Sequence, residues 1–218
     1  MPQTALVQRI EVEARQYLNP GDGAVSLVTN GQRVNSILGL NGAITPKLSL
    51  TAAGGYSVGF YSVADEYESW NAQLEGRFRA TERILVSLGY LRSFNPSFIG
   101  NFVESDRIYA HAEYLIERRL LLKADASVSF DSTGLALLPD GTTPLGSSSR
   151  RDDIRLRLSS FAEYRFSSWF AIMATVSYRQ NVTDYQYVAF LPGSTDPLPD
   201  PRAGYKAVEA WLGVRAFY

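Results

Sequence analysis

His111 and Glu113 are two residues apart, a spacing that in an extended strand puts both side chains on one face and within reach of a shared hydrogen bond. A histidine oriented by a carboxylate is the core of a general base. It still needs a nucleophile, and no recognisable serine, histidine and acid constellation supplies one. His111 is the sole histidine and the chain has no cysteine, which excludes disulfides, thiolate metal sites and cysteine nucleophiles. His111 therefore reads as a satisfied structural residue, with no catalytic group and no enzyme activity assigned.

Acidic residues at Asp65-Glu66, Asp152-Asp153, Asp184, Asp196 and Asp200 could meet calcium or the cations that bridge lipopolysaccharide, but none has EF-hand spacing and no metal site is assigned. Ala53-Gly-Gly-Tyr56 and Gly21-Asp-Gly23 lack the strand, loop and helix order of a phosphate cradle, so no cofactor follows. Lys and Arg number 21 against 22 Asp and Glu, a net charge of -1, and this balance gives no reason to expect a nucleic-acid partner.

The elements that must carry these side chains alternate apolar and polar residues at period two, in ten stretches of about 10 to 14 residues. They run over 4–17, 31–44, 48–61, 70–80, 84–94, 106–117, 120–131, 152–166, 170–184 and 205–218. Strands of soluble proteins are commonly about half as long. Very short turns near Thr45-Pro46-Lys47, Thr81-Glu82-Arg83, Arg118-Arg119 and Ser167-Ser168-Trp169 take turns with long loops near 18–30, 62–69, 95–105, 132–151 and 185–204. That asymmetry fits an up-and-down barrel with short periplasmic turns and long external loops. The mean hydropathy of -0.11 does not oppose this, because a spanning strand turns only alternate residues to lipid. No stretch approaches the roughly 18 apolar residues of a transmembrane helix.

One choice of face works through every stretch. Even-numbered residues form an apolar surface, as in Leu48, Leu50, Ala52, Gly54, Tyr56, Val58 and Phe60, with charge expected only at the outer ends, at Arg92 and Lys206. Odd-numbered residues form a dense interior charge network: Arg9, Glu11, Glu13, Arg15, Arg33, Glu75, Arg77, Arg79, Arg107, His111, Glu113, Lys123, Asp125, Arg155, Arg157, Glu163, Arg165, Arg179, Glu209 and Arg215. Such a lining is either a polar pore with a modest positive bias, favouring anions, or a plug of salt bridges.

Aromatic residues on the even face fall into two belts. Phe78, Tyr114, Tyr164, Phe166, Phe170 and Tyr218 lie near the short turns or the C-terminus, and Tyr56, Phe60, Trp70, Tyr90, Phe130 and Tyr178 lie toward the long loops. Amphipathic rings favour both membrane interfaces. The pattern predicts an all-β fold, a transmembrane antiparallel up-and-down β-barrel with ten strands in this chain. It would be a single domain over 1–218, either self-closed or the C-terminal part of a larger barrel. No export signal is visible at the N-terminus, so an outer-membrane location requires one removed upstream.

The segment Trp211-Leu-Gly-Val-Arg-Ala-Phe-Tyr218 resembles the C-terminal recognition strand of bacterial outer-membrane proteins, with Tyr218 in place of the usual phenylalanine. The hairpins Glu75 to Tyr90 and Glu113 to Asp125 are similar to the repeats of β-barrel porins, a resemblance that covers nearly the whole chain. It implies a Gram-negative outer-membrane location, contact with lipid and lipopolysaccharide, assembly by the barrel-assembly machinery through Tyr218, and other envelope proteins as partners. Three functions fit: a porin-like channel or exporter component, a non-conducting barrel anchoring an envelope, adhesion or motility complex, and, last, an outer-membrane enzyme.

Overall fold

A computed structural model of the chain describes residues 4–16, 31–61, 66–96, 102–134, 151–183 and 204–216. These residues form ten strands and no helix. They are β1 (Thr4–Arg15), β2 (Gly31–Ala43), β3 (Leu48–Tyr61), β4 (Tyr67–Thr81), β5 (Ile84–Pro96), β6 (Phe102–Ile116), β7 (Leu120–Thr133), β8 (Arg151–Arg165), β9 (Phe170–Thr183) and β10 (Tyr205–Ala216). The expected strands are all present. The largest differences are at β4, which starts at Tyr67, and β6, which starts at Phe102, both inside segments read as loop. Turn-like and polar residues there obscure the alternation that the longer ladders impose.

Hydroxyl side chains close three of the four short turns. Thr45 Oγ1 accepts from the amide of Leu48 at 3.0 Å, and Thr81 Oγ1 accepts from the amides of Arg83 and Ile84 at 3.1 Å each. Ser167 Oγ accepts from the Trp169 amide at 3.4 Å. Such local bonds satisfy backbone donors where the ladder ends. The fourth turn, Glu117-Arg118, has no such device. Both residues have positive φ, 48° and 58°, and the Arg119 amide closes the turn on the Ile116 carbonyl at 3.0 Å. This is the geometry in which hairpins favour Asn-Gly. Replacing Glu117-Arg118 by Asn-Gly is expected to raise stability by about 1 to 2 kcal/mol, by relieving two left-handed residues. A guanidinium unfolding midpoint that does not rise would contradict that strain.

Each strand pairs antiparallel with its sequence neighbours, in the order β1 to β10 without a crossover. A bulge between Arg79 and Thr81 is the one register shift among these ladders. At the long-loop end the sheet bends toward its odd-numbered face. Arg33 on β2 reaches the Phe94 carbonyl on β5, three strands away, at 2.7 Å. Flat strands spaced at about 4.8 Å would hold those backbones some 14 Å apart. No pairing joins β1 to β10 among the described residues, so the observed unit is an up-and-down sheet with two edges. Both edge strands are largely exposed, as at the adjacent Trp211 and Leu212, 69% and 82% exposed.

Burial is inverted relative to a water-soluble sheet. The buried apolar side chains are Phe94, Phe102 and Ala171, whereas Arg33, Asn35, Ser57, Asn71, Asp131, Asp153 and Glu163 are among the buried polar ones. Exposed Leu, Val, Ile and aromatic side chains, among them Leu38, Leu74, Leu88, Ile108, Leu158 and Val176, populate the even set of nearly every strand. The concave face is polar and the convex face apolar.

Candidate functional site on the concave face

The antiparallel registers bring the inward residues of neighbouring strands side by side. Near one edge, Glu13 pairs with Arg15 at 2.6 Å and with Arg33 at 3.0 Å, and Arg9 lies 3.6 Å from Glu11. Beside them Asn35, Ser57 and Asn71 form a closed neutral triangle: Ser57 Oγ and Asn71 Nδ2 both donate to Asn35 Oδ1, and Asn71 Nδ2 lies 2.6 Å from Ser57 Oγ. Glu75 takes Arg77 at 3.0 Å and the Tyr109 hydroxyl at 2.6 Å. Tyr109 reaches β4 by lying across Gly89 of β5. A Cβ there would fall 2.3 Å from the tyrosine ring.

Farther round, His111 Nδ1 lies 2.7 Å from Asp125 across the β6–β7 ladder, and Glu113 is 3.8 Å from its other nitrogen. The partner is thus Asp125 rather than Glu113, because a directly opposed residue approaches more closely than one two positions along the same strand. Glu113 is taken instead by Lys123 at 3.1 Å. Arg155 pairs with the buried Asp131, which also accepts from Ser129. Arg179 pairs with Glu209. Among the described residues, no group of histidine and carboxylate side chains could hold a metal ion.

Glu163 is the focus of the other edge. Only 1% of its side chain is exposed, and it accepts from Arg165 at 3.0 Å and from Arg215, two strands away on β10, at 2.9 Å. Charge-assisted bonds contribute about 1.5 to 3 kcal/mol each, less where the arginine remains half in water. Glu163→Gln is expected to lower stability by about 2 kcal/mol, read by chemical unfolding. A change below about 0.5 kcal/mol would put Glu163 outside the forces that hold β8 to β10.

At the long-loop end the face is narrowed by a feature the alternation does not reveal. The β4–β5 ladder stops at Ala72 and Arg92, while β5 and β6 stay paired to Pro96 and Phe102. Freed from β4, this tip leans over the interior. Its even-numbered Phe94 and Phe102 lie against Tyr67, an inward residue of β4, with ring centroids 5.2 and 3.7 Å away. Arg33 secures it by donating to the Phe94 carbonyl and to Asn95 Oδ1 at 3.0 Å. Beneath the tip is a cavity of about 240 Å³, lined by Arg9, Glu11, Asn35, Asn71, Gln73 and Ser93 among others.

The even face carries more charge than Arg92 and Lys206. Glu68, Glu104, Asp106 and Asp152 share its parity. Arg92 is held by Glu104 and Asp106 and covers Trp70 at 4.5 Å, so its charge is neutralised by protein, where water or headgroups were expected to solvate it. Tyr90 donates to Asp106, and Tyr67 to Glu104. All four acids lie in the third of their strand nearest the long loops.

The sites read from the sequence divide accordingly. Most of the interior set enters ion pairs. The side chains of Arg79 and Arg157 have no hydrogen-bonding or ionic partner among the described residues, and that of Arg107 has only the Tyr109 ring, 5.3 Å away. Tyr56, Phe60, Trp70, Phe78, Tyr114, Phe130, Tyr164 and Phe166 are exposed on the convex face; Tyr90, Phe170 and Tyr178 are half-buried there. Tyr218 lies outside the described residues. Tyr67, Phe94 and Phe102 were missed, since the even–odd rule cannot register a ladder that ends early; Asp131 is absent from the interior set although its odd position in β7 places it there. No family model matches the chain, and no curated protein or solved structure is significantly similar to it.

Proposed function

We propose that the chain is the wall of an integral outer-membrane β-barrel, a porin-like channel or exporter component of the Gram-negative envelope, with lipid and lipopolysaccharide against its convex face. The inverted burial carries this reading. Charged and amide side chains fill the concave face while bulky apolar ones cover the convex one. In water that arrangement wastes the hydrophobic effect; in a bilayer it is what solvation demands. Lipid does not tolerate unpaired strand edges. In an even-stranded sheet β1 and β10 run antiparallel, so they pair with one another or with further strands of the same kind. The barrel-assembly machinery is the route of insertion this reading implies, and no enzyme activity belongs to it.

A specific observation favours a second reading, a non-conducting barrel that anchors an envelope complex. The paired interior charges and the inward tip of β5–β6 both narrow the lumen. Folding into detergent, gel migration with and without heating, and planar-bilayer recording separate the two. A channel gives a faster unheated band and stepwise current, and a heat-modifiable but silent protein supports the anchor. A β protein that is monodisperse without detergent would sink both.

A further inference from the structure

Arg157 on β8 stands directly opposite Arg179 on β9, with Ser127 on its other side. Like charges in register repel and are normally avoided or neutralised. Arg179 has Glu209 as its counter-ion; Arg157 has none among the described residues and is exposed on the concave face. Arg107, also exposed and without an acid, projects from β6 in the adjacent row, separated from Arg155 by Ser129. Ser127 and Ser129 are too short to screen the guanidinium groups flanking them. The acids nearby, Asp125, Asp131 and Glu209, are already engaged by His111, Arg155 and Arg179. Apart from Arg79, near the turn that ends β4, these are the two cations of the concave face with no acid partner among the described residues.

We propose that Arg157 and Arg107, with Arg179 at their side, form an oxyanion-binding site on the concave face that takes phosphate-bearing solutes. The proposal rests on the reading of this face as a solvated barrel wall and adds the class of solute that it meets. Guanidinium groups suit phosphate because their planar forks donate in pairs to its oxygens. Arg107 and Arg157 stand on the two sides of β7 in adjacent inward rows, one opposite Ser129 and the other opposite Ser127. Removing either arginine orphans no carboxylate, so substitutions here leave the ion-pair network intact.

The test is titration of inorganic phosphate into the full chain folded in detergent at low ionic strength, followed by calorimetry. The unsubstituted protein is expected to bind saturably, and the double variant Arg107→Gln, Arg157→Gln to bind at least about tenfold more weakly, the effect of losing roughly 1.4 kcal/mol of charge-assisted bonding. Arg157→Lys should fall between them, because it keeps the charge and loses the fork. If the double variant fails to fold, the two single variants carry the comparison on the same terms. Absence of saturable binding, or equal affinity in the variants, overturns the site. Bilayer recording keeps this apart from the channel reading: phosphate binding without current leaves the site standing and removes the channel, and current untouched by phosphate does the reverse.

Discussion

Leu158→Arg is expected to destabilise the protein in a bilayer by about 2 to 4 kcal/mol, the cost of a cation at the midplane of a lipid-facing strand. Leu158 is the eighth of the fifteen residues of β8, on the even face, 43% exposed. Ala126 of β7 and Tyr178 of β9 flank it in register and offer no carboxylate to pair with a new cation. In water the same substitution would fall within about 0.5 kcal/mol, as surface changes usually do, and would even lessen aggregation. Equilibrium unfolding from lipid vesicles measures the difference, with Leu158→Ala as the control for lost packing. A large loss for arginine beyond that for alanine supports a lipid-facing β8. Equal losses would leave the convex face without a demonstrated need for hydrocarbon and point instead to a protein partner covering it.

Strand positions and face assignment were legible in the sequence because each strand is long and one face is apolar except toward the long-loop ends. At β3 the alternation from Leu48 to Phe60 runs without interruption, and the strand has the bounds expected of it. A strand turned by one residue would exchange the whole set, so the faces are strongly specified. Individual partners were less legible. The choice of Asp125 over Glu113 by His111 depends on the register of β6 against β7, which the closing turn at Glu117-Arg118 fixes and alternation alone does not. Closure was legible only as a requirement of the membrane reading. The edges at β1 and β10 carry no cross-strand partner among the described residues, and the side chains of Val7 or Leu212 cannot announce what completes them. The inward tip was invisible for another reason: Phe94 and Phe102 have the parity of the exposed apolar face and differ from Phe130 only in where the neighbouring ladder stops.

That difference gives the largest effect expected of a single truncation. Phe94 is 1% exposed and lies against both Tyr67 and Phe102, so Phe94→Ala removes the most buried ring of the three-ring cluster. Deleting a buried phenylalanine side chain costs about 3 to 5 kcal/mol, through lost transfer energy and the cavity left behind. Phe130→Ala, at an exposed even position of β7, is the matched control, expected to cost less in detergent because micelle hydrocarbon fills the space. The loss should extend to the tether. With the ring gone, the backbone at Phe94 is no longer wedged against β4, and the bonds from Arg33 to its carbonyl and to Asn95 must hold the tip alone. Amide hydrogen exchange across Ser93 to Pro96 should therefore quicken in Phe94→Ala and stay slow in Phe130→Ala, since exchange reports local opening. Arg33→Met should quicken the same amides with the rings intact. If both substitutions leave exchange there unchanged, and Phe94→Ala costs no more than Phe130→Ala, the tip does not lean over the interior and Phe94 belongs to the convex face that its parity indicates.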